Sequence, residues 1–139
     1  MNVLVDTPVW SLALRRKAGD LSDRERSIVD ALAELMGQRR ARIIGLVRQE
    51  VLSGIKSEVQ FEALRDVLRG FADEPVDTED HETAAQNYNS CRSLGITVSL
   101  PDMLICAVAQ RRRISVFTTD PDFERYARVL DLKLHRREV

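Results

Sequence analysis

Four acidic residues stand where apolar segments of the chain end or begin. Asp6 follows the run NVLV, and Glu50 comes soon after a second run, ARIIGLV. Asp102 sits at the start of PDMLICAVAQ, and Asp120 follows ISVFT after two threonines, with Asp122 one residue further on. Clustered carboxylates cannot all stay ionised without compensation, because like charges a few ångströms apart drive their pKa values up. A divalent cation relieves that repulsion. An oxygen-only donor set without a nearby histidine or cysteine favours Mg²⁺ or Mn²⁺ over zinc. The two histidines, His81 and His135, read as surface residues outside the set. A cation rimmed by acids suits phosphodiester hydrolysis: one ion lowers the pKa of a bound water, and a second, roughly 3.5–4 Å away, holds the leaving oxygen.

Each acid also has an ordinary structural reading. Asp6 and Asp120 stand where helix N-caps belong. Asp102 can pair with Ser99 in a cap, and Glu50 can be a solvent-facing helix residue. The set as a whole says more than its members, since an acid promptly follows each apolar strand at what would be the same edge of a sheet.

The elements that must hold these acids follow from the pattern of apolar residues. NVLV and ISVFT are short apolar runs with strand character, and ARIIGLV over 41–47 reads as a strand running almost at once into a helix containing Glu50. Helices are predicted over 8–17, from the capping box Ser22-x-x-Glu25 to about Gly37, over 58–71, over 79–94 with a stop at Gly95, and from Ser99 with Pro101 in the first turn. A short helix starts at Asp120-Pro121, and LKL near the end reads as an edge strand. MLICAVAQ is apolar nearly all round, which predicts burial on several sides. Strands alternating with helices argue for an α/β domain with a mainly parallel sheet covered on both faces. Ligands of such sheets bind beyond the carboxyl ends of the strands, and all four acids are expected there.

The chain has 139 residues, the size of one domain, so residues 1–139 are read as a single unit. With 21 basic and 22 acidic residues, net charge carries no electrostatic signature. The basic side is mostly arginine, clustered at Arg15-Arg16-Lys17, at Arg39-Arg40 with Arg42, and at Arg111-Arg112-Arg113. These clusters read either as solvated helix ends or as contacts to a nucleic-acid backbone. Two cysteines, Cys91 and Cys106, are too few for a disulfide framework and read as buried thiols in a reducing cytoplasm. No apolar run is long enough to span a membrane, and the opening strand leaves no place for a signal peptide.

NVLVDTPVW, VRQEVLSG, GITVSLPDMLICAVAQ and ISVFTTDPDF, in that order over essentially the whole chain, resemble the PIN domain, specifically the VapC-type toxins of toxin–antitoxin pairs. The resemblance implies a PIN-like α/β/α sandwich and a Mg²⁺- or Mn²⁺-dependent endoribonuclease. The implied substrate is structured RNA, commonly transfer or ribosomal RNA, whose cleavage stops translation and growth. It further implies a homodimer held inactive by a cognate VapB-type antitoxin. Carried over by position, the catalytic set is Asp6, Glu50, Asp102 and Asp120. Asp6, Asp102 and Asp120 are the implied metal ligands, with Glu50 and Asp122 as further candidates, and Thr7 and Thr118 as supporting hydroxyls. Pro8 and Cys106 depart from the residues usual at their positions.

Two other functions were weighed. A phosphoacceptor receiver domain also gathers acids at the carboxyl end of a parallel sheet, but it calls for adjacent acids early and a lysine after a late strand. Here Asp6 stands alone and Thr118-Thr119-Asp120 has no lysine. A catalytically inactive PIN-like interaction module would keep the fold and lose the acids, which are intact.

Overall fold

A computed structural model describes residues 1–136. Three strands form one parallel sheet in the order β2-β1-β3, with β1 at Val3–Val5, β2 at Ala41–Arg42 and β3 at Ser115–Phe117. The first strand is central. All three of its residues are buried, as a strand covered on both faces requires. Seven α-helices surround the sheet: α1 Thr7–Arg15, α2 Asp23–Gly37, α3 Gly45–Leu52, α4 Glu58–Leu68, α5 Thr78–Ser93, α6 Leu100–Arg112 and α7 Asp122–Val129. The architecture is the α/β/α arrangement expected from the alternation of elements.

Local chemistry accounts for most helix boundaries. Asp6 caps α1, its carboxylate accepting the Thr7 N–H. Ser22 and Glu25 form the expected capping box at the start of α2. Asp77 and Asp80 form a second box at the start of α5, one that the spacing of hydrophobic residues did not suggest. Ser99 caps α6 through the Asp102 N–H. The α5 helix ends before Gly95, whose φ of +78° is the left-handed conformation that glycine adopts without a Cβ penalty.

Three boundaries differ from expectation. Helix α1 ends at Arg15, and a 3₁₀ turn at Ala18–Asp20 follows. In ARIIGLV only Ala41–Arg42 is strand: Ile43 makes an isolated bridge to Asp73, and Gly45–Val47 already belong to α3. A short apolar run buried all round has no period that separates strand from helix. LKL contributes one bridge, Leu134 with Val116, beside β3.

The core is one cluster of buried residues around β1 and α6. In α6, Met103 and Ile105 through Ala109 are all buried, as its unbroken apolar sequence predicts. Trp10 is fully buried and donates its indole N–H to the Val5 carbonyl at 3.1 Å. That bond fixes α1 against the end of the central strand, one residue before Asp6. Phe71 packs edge-on against the indole, with ring centroids 5.0 Å apart. Cys91 and Cys106 are buried free thiols.

Candidate active site

The register of the sheet sets the site. Val5 pairs with Phe117, so Asp6 and Thr118 are the next residues beyond the carboxyl ends of adjacent strands. The Asp6 N–H donates to the Phe117 carbonyl at 2.9 Å and extends the ladder by one step. The Thr118 hydroxyl then donates to Asp6 Oδ2 at 2.8 Å, and the Thr118 Oγ1 itself accepts the Asp120 N–H at 3.0 Å. Asp120 in turn accepts the Asp122 N–H through Oδ1 at 2.9 Å. The chain from Asp6 to Asp122 is thus a continuous run of hydrogen bonds across the sheet edge.

From the other side, the Thr7 hydroxyl donates to Glu50 Oε1 at 3.2 Å and ties α1 to α3. Glu50 is exposed and sits in the second turn of α3, deeper into the helix than expected because the strand before it is so short. Asp102 stands in the first turn of α6, as expected. Asp120 was expected to be the N-cap of the last helix. The cap residue is Pro121, yet the Asp120 carboxylate still binds the first helical N–H. Asp122 lies in the first turn, and Arg125 holds its carboxylate in an ion pair.

The electrostatics mark these acids as a coupled set. Asp6 is only 4% exposed, and burial pushes its pKa up to about 6 against the hydrogen bonds from Thr118 and Thr7. The charges of Asp102 and Glu50 push it further in the same direction. Burial also raises Asp102, and the charges of Asp120 and Asp122 add to it, while a hydrogen bond from Tyr126 opposes the shift. Cys106, one turn after Asp102, has its thiol pushed well up, first by burial and then by Asp102 and other neighbours that include Asp6. That cysteine is therefore near the acids, although its sequence position suggested no relation to them.

Sequence reasoning missed two features. Tyr126 in α7 donates its hydroxyl to Asp102 Oδ2 at 2.8 Å. Its place on the apolar face of a short helix gave no sign of a polar task. His135, read as a surface residue, is half-buried against the Phe117 ring with centroids 5.2 Å apart, and burial lowers its pKa. Together with Arg24, Thr118, Thr119 and Asp120 it lines a cavity of about 560 Å³ beside the carboxylates. The arginine clusters also resolve. Arg111 and Arg112 bind Asp77, Glu79, Asp80 and Glu74 in an ion-pair network, so neither a solvated helix end nor a free cationic patch describes them.

The donor set is all oxygen, which suits a hard divalent cation. Among the described residues no group of three or more carboxylate, histidine or cysteine side chains is placed to hold a metal ion. Mg²⁺ does not require one, since it keeps several waters and takes one or two carboxylates plus substrate phosphate. The residues present therefore fit such an ion.

No curated protein matches the sequence. Among solved structures, the chain superposes on that of FitAcB from Neisseria gonorrhoeae with a TM-score of 0.77, 20% identity and 97% of each chain covered. It superposes on VapBC-5 of Mycobacterium tuberculosis, a member of the VapBC family of toxin–antitoxin systems, with a TM-score of 0.68, 19% identity, and 98% and 99% of the two chains covered. It superposes on VapBC2 of Rickettsia felis, solved bound to a DNA fragment from its promoter, with a TM-score of 0.72, 16% identity, and 97% and 98% covered. At these identities the likeness is one of fold. The sequence itself matches the PIN domain over residues 3–129, and the chain belongs to the PIN domain family.

Proposed function

We propose that the protein is the toxin of a type II toxin–antitoxin pair, a Mg²⁺- or Mn²⁺-dependent endoribonuclease whose cleavage of RNA inhibits translation and growth. The observation that carries the reading is the edge of mutually repelling carboxylates, Asp6, Glu50, Asp102 and Asp120, gathered beyond the strand ends and, among the described residues, without a cationic side chain bonded to any of the four. Buried or crowded acids left without a counter-charge are what a divalent ion and a phosphodiester complete. Membership of the PIN family and the toxin–antitoxin complexes among the structural neighbours support the same reading.

In this reading Asp6, Asp102 and Asp120 would hold the ion, directly or through its waters, with Glu50 and Asp122 at its margin. The bound ion would polarise the scissile phosphate and lower the pKa of the attacking water. The protein's own residues set the geometry. Thr7 N–H and the Thr118 hydroxyl fix the Asp6 carboxylate in place before substrate arrives. Thr7 fixes the exposed Glu50 carboxylate, which would serve as a proton acceptor at the edge of the site. The cavity beside Asp120 receives RNA flanking the cut, with Arg24 on its wall available to a backbone phosphate.

The substrate class is structured RNA, transfer or ribosomal RNA, acted on in the cytoplasm by residues 1–139 as one domain in a homodimer. A VapB-type antitoxin is the cognate partner. No described helix is long and apolar enough to cross a membrane. The test is RNA cleavage by wild type, Asp6→Asn and Asp102→Asn in Mg²⁺ and in chelator, with growth arrest on expression as a parallel readout. Cleavage lost in chelator and in both variants is expected. Full activity without either acid would overturn the reading, and a wild type that cleaves no RNA would leave the alternative, a PIN-like interaction module without catalysis.

A further inference from the structure

Asp102 is the one acid of the set whose side chain is held by a residue that no part of the sequence pattern pointed to. Its Oδ2 accepts the Tyr126 hydroxyl at 2.8 Å, and the Ser99 hydroxyl gives the carboxylate a second, weaker hydrogen bond. The tyrosine is 1% exposed, and its ring is pinned edge-on by Phe123, with centroids 5.1 Å apart. A phenol fixed by packing has one direction in which to point its proton.

The connection reaches further than one bond. Tyr126 lies one turn along α7 from Asp122, and the same helix has its first N–H bound by Asp120. Helix α7 therefore holds Asp120 at its start and Asp102 through its first full turn. It is the element that sets the α6 acid against the acid of the β3 edge.

We infer that Tyr126 is a positioning residue for the divalent cation: its hydroxyl, bound to Oδ2, fixes the orientation in which the Asp102 carboxylate would meet the ion. The inference rests on the metal-dependent reading above. Donors that orient a ligand in this way typically govern affinity by ~10–100-fold.

The test is titration of the metal-free protein with Mn²⁺ alone, followed by calorimetry, for wild type, Tyr126→Phe, Phe123→Leu and Asp102→Asn. Tyr126→Phe keeps the ring and removes the hydroxyl, so it should weaken Mn²⁺ binding by ~10–100-fold while the far-ultraviolet spectrum stays that of wild type. Phe123→Leu disturbs the same packing without touching Asp102. It should lower the melting temperature and leave Mn²⁺ affinity within about twofold of the Tyr126→Phe control's parent. In the Asp102→Asn background, adding Tyr126→Phe should change nothing further. Equal Mn²⁺ affinity for wild type and Tyr126→Phe overturns the inference and leaves the nuclease reading standing. If Phe123→Leu weakens binding as much as Tyr126→Phe does, the tyrosine acts only through packing, and the inference again fails. A wild-type protein that binds no Mn²⁺ overturns the metal-dependent reading, and this inference with it.

Discussion

Asp6 and Asp80 are both buried carboxylates, 4% and 0% exposed, and they respond to burial in opposite ways. Asp80 accepts hydrogen bonds from Arg111 and Arg112 at 2.7 to 3.0 Å, and the Asp77 carboxylate caps its N–H. Those cations hold its pKa far below the usual carboxylate range. Asp6 has hydroxyl and amide donors but no cation among the described residues, and the charges that act on it are those of Asp102 and Glu50. Its pKa moves up to about 6. One buried acid is neutralised by its own chain and locks α5 to α6. The other is left for something the chain does not supply. Where a protein leaves a buried charge uncompensated, stability has been given up for binding or chemistry.

The largest effect should come from breaking the satisfied pair. Asp80→Ala leaves two guanidinium groups facing a vacated position, and removing one partner of a buried ion pair costs about 3–5 kcal/mol. Urea unfolding should show that loss, while RNA cleavage at a temperature where the variant is still folded should survive. A variant that loses less than about 1 kcal/mol would mean the network is as weak as an exposed one.

The two acids should also give opposite pH dependences. For Asp80 the folded-state pKa is lowered, so its contribution is present above the ordinary value of 3.8 and is lost as pH falls below it. For Asp6 the folded-state pKa is raised. Its ionisation therefore costs nothing below pH 3.8, and the protein loses stability as pH climbs from there through about 6. The difference corresponds to about 3 kcal/mol once Asp6 is fully ionised. In chelator, unfolding free energy should fall between pH 4 and 7 in wild type, and Asp6→Asn should flatten that slope. A slope unchanged in Asp6→Asn would place the uncompensated charge elsewhere.

Mg²⁺ should act on one side of the comparison only. At a hundredfold excess over its dissociation constant it should add about 2.7 kcal/mol to the wild type, and nothing to Asp6→Asn beyond the error of the measurement. The smallest contrast lies within the last motif. Asp122 is already paired with Arg125 while Asp120 is not, so Asp120→Ala should reduce cleavage more than Asp122→Ala. The reverse order in a cleavage assay would exchange their roles.

Sequence carried the placing of the acids better than the bonds that hold them. Asp6, Asp102 and Asp120 were legible because apolar runs end or begin beside them, and burial of both faces of a parallel sheet leaves that pattern directly in the chain. Glu50 was found on its helix but not its depth along it, because ARIIGLV has no period to tell its two strand residues from the helix that follows. Arg111 and Arg112 looked like a loose cationic helix end. Their partners, Asp77, Glu79, Asp80 and Glu74, lie about thirty or more residues away on another element, and no local spacing encodes that pairing. Tyr126 was hidden for a related reason: a tyrosine on an apolar face reads as core, and its hydroxyl's partner is decided by how two helices pack.

The bond from Thr118 to Asp6 spans 112 positions of the chain, joining the strand made first to the strand made last. A polypeptide still emerging from its ribosome can form β1, α1 and much of the helical layer, but it has no Thr118 to fix Asp6 and no Asp120 beside it. The carboxylate edge closes only when synthesis has passed β3 and the first and last strands have paired. If the proposed cleavage of RNA needs that edge, a chain stopped before residue 118 should be inert, and the activity should arise only once the ribosome has finished β3.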